Sequence, residues 1–345
     1  SNLVAVTLGT GVGGGIIIDG RILTGTNGAG GEIGHIHIED NETEVCGCKN
    51  KGCLEQYASA TGITRLANRR LAKDDAPSIL RGGEISAKTV FDAVKAGDKV
   101  AIEIAEQFGE YLGKGILAQL KKVNVLISDI HHLFVTHAHT DHVLGVIWVI
   151  RMVAQCKGYE GLLHVYGNDK VMKVIKTIID MILAKKQLAK VAERVVFHQL
   201  KDGDCFEVGD MKLECFDIQS TKEKQFGFRA ELPSSDESGK PLVLACLGDE
   251  PYNEQNRRYI VGADWMMCEA FCLYADRDTF KPYEKCHSTA LDAGKLAKEL
   301  GVKNLILYHT EEKTLANRKE NYTREAAENF KGRIFVPDDL EVIEL

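Results

Sequence analysis

Apolar and polar positions along the chain change period several times, and each change marks an element. In residues 4–24, VAVTLGTGVGGGIIIDGRILT, two β-branched runs flank a glycine-rich turn and Asp19-Gly20 makes a second, so a hairpin is expected. From 55 to 72 the spacing becomes helical. Pro77 to Glu84 reads as a loop, and Ser86 marks a helix start. From Asp98 a long amphipathic helix carries Ile102, Ile104, Ala105, Phe108, Leu112 and Ile116. Leu133-Phe134-Val135 is a short buried strand, and 143–156 an apolar helix. Residues 168–194 read as one further helix, whose Lys185, Lys186, Lys190 and Arg194 form a solvated basic stripe. Cys205 to Phe216 reads as a hairpin turning at Gly209-Asp210. Leu242 to Leu247 and Leu305 to Tyr308 are buried strands.

At 345 residues the chain has the length of two domains. A content of 44% hydrophobic and 27% charged residues is that of an ordinary globular protein. The net charge of −7 argues against broad nucleic-acid binding. No apolar run has membrane-spanning length and no signal-peptide pattern opens the chain, so no membrane partner is expected. Three of the ten cysteines cluster with metal spacing and the others are scattered in apolar runs, which predicts a reducing, cytoplasmic setting.

The densest chemistry is Thr136-His137-Ala138-His139-Thr140-Asp141-His142, directly after the strand ending at Val135. Histidine and aspartate are poor strand and core residues unless paired, and imidazole and carboxylate are ordinary zinc ligands. His137 and His139 sit two apart and point the same way from an extended segment, while Asp141 and His142 turn toward a second metal. This stretch resembles the HxHxDH signature of the metallo-β-lactamase superfamily, whose two metals activate water against an ester, amide or phosphodiester. The resemblance covers about residues 120–345. It implies Asp249 as a bridging ligand and His309 as the last ligand, on the second metal with Asp141 and His142. Gln219 aligns where the superfamily has a ligand histidine; an amide oxygen binds zinc more weakly, so the first site is expected to be weakened. His198 reads as a polar strand-end residue. Glu269 and His287 resemble features of the ribonuclease Z branch, where the histidine faces the scissile phosphate and the glutamate orients it.

A second constellation lies earlier. His35, Cys46, Cys48 and Cys53, spaced H-x10-C-x-C-x4-C, make a complete tetrahedral zinc set. With the glycine-rich hairpin they resemble the ROK family of sugar kinases and repressors, near its glucokinase branch, over about residues 2–116. The resemblance implies phosphate contacts at Gly9, Thr10, Gly11 and Gly13, and structural zinc on His35, Cys46, Cys48 and Cys53. It also implies sugar contacts at Glu32, His35 and Glu55. Lys49 departs from the family, which has glycine after the second cysteine. The family's early phosphate loop and its catalytic aspartate have no counterpart in the sequence, so ATP/Mg chemistry and glucokinase activity are not expected.

The combined expectation is an α/β chain. Residues 1–116 form a partial ribonuclease H-like (actin-like ATPase) kinase segment, and 120–345 an αββα metallo-β-lactamase sandwich lacking its first strands. No Pro/Gly/Ser linker marks the junction. The first methionine is Met152, and a joined pair of gene fragments is expected. The catalytic reading is a metallohydrolase carried by Asp141, His287 and Glu269, with zinc on His137, His139, Asp141, His142, Asp249 and His309. No long Gly/Lys-rich arm is present, so the substrate expected is a small phosphodiester or RNA end rather than tRNA. The alternatives are a ROK-type glucokinase or sugar-binding protein, taking glucose or another hexose, and a chimera with neither activity; a homodimer is the further partner expected.

Overall fold

The computed structural model describes residues 37–122, 125–233, 239–311, 317–337, 341, 343 and 345, and the backbone alone of 3–8, 12–18, 21–22, 116, 119–122, 140, 141 and 144. Strands β1 (Leu3–Leu8), β2 (Val12–Ile18) and β3 (Arg21–Ile22) form an antiparallel meander in which Thr7 pairs with Gly13. Helices α1 (Glu55–Ala58), α2 (Ala60–Leu71), α3 (Ala87–Lys95) and α4 (Lys99–Lys122) follow. The helix expected over 55–72 is broken at Ser59, which is extended and accepts the Gly62 N–H at 2.9 Å as the N-cap of α2. Ser86 caps α3 in a reciprocal box with Thr89.

A parallel sheet of β4 (His132–Val135), β5 (Leu163–Gly167) and β6 (Val195–Gln199) is next, crossed over by α5 (Thr140–Gln155) and by α6 (Asp169–Ile182) with α7 (Lys185–Arg194). The single helix expected over 168–194 is two, because Leu183 and Ala184 turn extended and Leu183 drops into the core. Among the described residues the second sheet has seven strands: β7 (Cys205–Val208), β8 (Met211–Asp217), β9 (Phe226–Leu232), β10 (Leu242–Cys246), β11 (Trp265–Glu269), β12 (Asn304–Tyr308) and β13 (Arg333–Phe335). It is antiparallel from β7 to β10 and parallel from β10 to β13. Short α8 (Arg257–Ile260) and α9 (Arg277–Phe280), then α10 (Ala290–Leu300) and α11 (Arg318–Ala326), complete the chain.

These elements stack as four layers. Side chains alternate across a strand. Leu133, Val135, Leu163, Val165 and Val195 therefore face the helices of one outer layer, while Phe134 and Tyr166 face the second sheet. Phe134 meets Phe206 and Phe228 at ring distances of 6.1 and 5.6 Å, closing the sheet-on-sheet interface. On the far side, Met266, Cys268, Leu305 and Leu307 pack under Ala293, Ala297 and Tyr322 of α10 and α11. The expected αββα sandwich is present, and among the described residues its first sheet has three strands.

One apolar core runs from Leu54 of the first segment to Val195 of the second. Its joint is a notch in α4. A Cβ on Gly109 would lie 1.5 Å from Trp148 Nε1 of α5, and one on Gly113 3.3 Å from the same indole. Further along, a Cβ on Gly115 would meet Leu54 at 2.2 Å. Small residues thus let α4 approach both α1 and α5. At the distal end, Glu42 is buried and paired with Arg65 at 2.6 Å and Arg69 at 3.0 Å, which ties the 37–53 loop onto α2.

On the inner face of the first sheet, His132 stacks on His164 at 5.1 Å, and His164 Nδ1 lies 2.8 Å from His198 Nε2. Burial, reinforced by the neighbouring imidazoles, lowers the pKa of His132 and of His198. A lowered histidine leaves the folded chain neutral where the unfolded chain takes up a proton. Stability is therefore lost as pH falls below about 6.5. The melting temperature is expected to drop between pH 7 and 5, and His132→Leu to flatten that drop; an unchanged slope would remove His132 from the account. Gly109→Ala is expected to cost about 1–3 kcal/mol by overpacking, read as a lower urea midpoint; an unchanged midpoint would show that Trp148 yields freely.

Candidate metal centre

The ends of parallel strands collect the polar residues. His137, His139 and His142 lie between the C-terminus of β4 and the first turn of α5. Asp249 follows β10, Glu269 ends β11, and His309 follows β12. The carboxyl ends of parallel strands leave such a crevice in open α/β sheets. Gly248, at φ 85°, makes the turn that swings Asp249 inward.

His137 is fully buried. Its Nε2 lies 3.5 Å from Asp249 Oδ2, and His142 Nε2 lies 3.4 Å from the same oxygen. His139 Nδ1 is 2.8 Å from His137 Nε2. On the opposite edges of the rings, Thr136 Oγ1 lies 3.0 Å from His137 Nδ1 and 3.4 Å from His142 Nδ1. The hydroxyl so holds both rings with Nε2 toward the carboxylate, a partner role usual behind metal-ligating histidines. Burial first, then the field of His142, pushes the His137 pKa down to about 2, so the ring is neutral and its lone pair available. Burial works against the charge of Asp249, but the hydrogen bond of His142 and the imidazoles around it outweigh it and hold its pKa below the usual carboxylate range.

Beside this group stands a second. Glu269 is fully buried; its Oε1 accepts the Ser288 N–H at 2.5 Å and its Oε2 lies 3.5 Å from His287 Nδ1. His287 packs against both Phe271 and His309, with ring distances of 4.9 Å to each. His309 sits at φ 56°, and its Nδ1 is buried without a hydrogen-bond partner among the described residues. Ligand atoms of His137, His142 and Asp249 lie within 4.8 Å of one another, as do those of Glu269, His287 and His309.

The donor set fits a divalent cation. Tetrahedral bonds of about 2.0–2.1 Å place nitrogen and oxygen ligands about 3.3 Å apart, close to the 3.4 and 3.5 Å found here. Asp141 lies in the first turn of α5, and its side chain falls outside the described residues, so its expected role is not placed.

Gln219 is not brought to either group. It is exposed at φ 61°, its backbone N–H bonded to Asp217 Oδ1 at 2.8 Å. The amide that reaches Asp249 belongs to Gln225, which is buried and precedes β9. The expectation at Gln219 came from the family resemblance, which implies a ligand histidine after β8. The actual placement follows from β9 running antiparallel to β10, which sets Gln225 beside the end of β10. Thr136 and Gln225 went unread because a lone threonine and a lone glutamine carry no spacing signal.

In the first segment, Cys46, Cys48 and Cys53 converge, with Cys48 and Cys53 sulfurs 3.5 Å apart. Thiolates around zinc at about 2.3 Å would stand about 3.8 Å apart, so these also fit. Glu55 opens α1 with its carboxylate 3.8 Å from the Cys46 sulfur. Lys49 adopts φ 72°, the conformation that glycine takes without strain, which is what the lysine at this position costs. Gly13 lies within β2; Gly9, Thr10, Gly11, Glu32 and His35 lie outside the described residues.

Comparison with known proteins divides the chain in the same two ways. A family model described as ROK family matches residues 1–126, and one described as beta-lactamase superfamily domain matches residues 110–310. Glucokinase of Halalkalibacterium halodurans is 42% identical over 119 residues, 33% of this chain and 36% of that protein. Glucokinase of Thermotoga maritima is 37% identical over 127 residues, 36% of this chain and 40% of that protein. The chain thus spans well under half the length of these curated relatives. The metallo-beta-lactamase fold protein YhfI from Bacillus subtilis superposes with a TM-score of 0.50 at 19% identity, over 66% of this chain and 83% of that one. That likeness is one of fold.

If the histidine group binds metal apart from the cysteine group, Asp249→Asn is expected to lower the zinc count in native mass spectrometry while cysteine-bound zinc stays. An unchanged count would refute the histidine centre.

Proposed function

The chain belongs to the beta-lactamase superfamily through residues 110–310, and from that premise we propose that it is a metal-dependent hydrolase acting on a phosphodiester. The observation that carries the reading is the convergence of two imidazole Nε2 atoms on one ionised, buried carboxylate oxygen, with the Glu269–His287–His309 group alongside.

His137, His139, His142, Asp249 and His309 would hold the metal, with Asp141 and zinc as the proposed further ligand and ion. A bound divalent cation supplies Lewis acidity toward a phosphoryl oxygen and lowers the pKa of water. The remaining work falls to the chain. Glu269 Oε2 faces His287 Nδ1 at 3.5 Å, which leaves the other ring nitrogen, when protonated, to pass a proton to the leaving oxygen. Phe271 covers one face of that ring and limits its rotation. In this reading the first segment, ending near residues 116–120 within α4, supports the hydrolase by packing and carries its own cysteine-held zinc. The overlap of the two family matches over residues 110–126 supports a division there.

The test is hydrolysis of bis(p-nitrophenyl) phosphate by the zinc-loaded chain, with loss of activity on chelation. On a dinucleotide substrate, whose leaving alkoxide needs a proton, His287→Ala is expected to lower kcat by about 100-fold or more with little change in KM, as for a lost general acid. Equal rates in the two proteins would sink the role given to His287, and no metal-dependent rate at all would sink the hydrolase reading.

A further inference from the structure

Gln225 is about 1% exposed, deep for a neutral amide with four hydrogen-bonding sites. Both ends of its side chain are spent on one residue. Its Oε1 accepts the backbone N–H of Asp249 at 2.7 Å, and its Nε2 donates to Asp249 Oδ1. The other carboxylate oxygen, Oδ2, is the one that His137 and His142 face. The surroundings are shaped for this contact. Gly248 leaves no Cβ, and one placed there would lie 2.3 Å from Gln225 Oε1. Asn168 Nδ2 donates to Lys224 O at 2.8 Å, and Phe226 N–H donates to Thr136 O at 2.9 Å, so the backbone on both sides of Gln225 is anchored.

We propose that Gln225 is the positioning residue of the histidine centre: a two-point clamp that fixes which oxygen of Asp249 is presented to His137 and His142. A carboxylate free to rotate about its last bond offers either oxygen, and a ligand that must be oriented on binding binds more weakly. With Oδ1 engaged and the backbone N–H held, the rotation is fixed before any cation arrives. Because the clamp keeps the side chain of Gln225 on Asp249, its amide oxygen is committed and does not act as a ligand itself. The proposal rests on the metallohydrolase reading for its consequence, and on the two hydrogen bonds alone for its geometry.

The experiment uses the full chain and the variant Gln225→Met, which keeps length and loses both hydrogen bonds. Gln225→Asn, too short to reach, carries the same expectation should the methionine variant fail to fold. Three quantities are measured: zinc affinity by chelator competition, the visible absorption of the cobalt-loaded chain, and exchange of the Asp249 amide hydrogen in the metal-free chain. Expected are a roughly 10–100-fold loss of zinc affinity at the histidine centre, the range for residues that orient metal ligands, a changed cobalt spectrum, and faster Asp249 exchange. A general loss of stability would not alter the cobalt spectrum. Unchanged Asp249 exchange, or unchanged zinc affinity and cobalt spectrum in a wild-type chain that does load metal, overturns the proposal. If the wild-type histidine centre takes no cation yet Asp249 exchange quickens in the variant, the clamp stands and the hydrolase reading falls.

Discussion

The packing of Trp148 into the glycine notch of α4 is the contact on which the rest of the molecule depends. It joins segments that match two different families into one apolar core. It also sets the seat of α5, and the first turn of α5 carries His142 while His139 is its N-cap. A helix displaced by an ångström would move those imidazoles relative to Asp249, which arrives from the other sheet. Close packing transmits such shifts because interiors hold few voids to absorb them. The junction therefore needs no flexible linker: α4 runs unbroken through it and is held on both sides, by Leu54 and by Trp148.

The centre itself balances opposed terms. An isolated carboxylate in the interior is costly, and an isolated neutral imidazole pair gains little. Brought together, each relieves the other: Asp249 stays ionised through His142 and the nearby rings, while burial keeps His137 neutral. Both states are the ones a cation requires. Thr136 and Gln225 then hold the rings and the carboxylate from behind. The same logic places Glu269 under His287, with Ser288 N–H satisfying the other oxygen of the glutamate.

Much of the fold was legible because the periodicities are local. The strand ending at Val135, the hairpin turning at Gly209-Asp210 and the capped start at Ser86 follow from neighbours in sequence, while the αββα layering was implied by the family resemblance. The breaks at Ser59 and at Leu183-Ala184 were not anticipated, since each depends on a side chain finding a partner or a core site that spacing does not reveal. Gln219 shows the limit most plainly. The family resemblance pointed to it, whereas Gln219 lies exposed in a left-handed conformation and the next strand brings Gln225 to Asp249 in its stead.

By itself the sequence determined the chemical inventory: imidazoles and carboxylates at strand ends, three clustered thiols, and small residues along α4. Those are matters of residue identity and short spacing, which the chain carries wherever it goes. The tertiary structure alone decided which nitrogens meet which oxygen, that Thr136 and Gln225 stand behind them, and that one core spans both segments. Apart from the Thr136 contacts, which are short in sequence, these depend on sheet register and helix seating between residues tens to more than a hundred positions apart. Such contacts are set by the cooperative burial of the whole chain, and no local pattern encodes them.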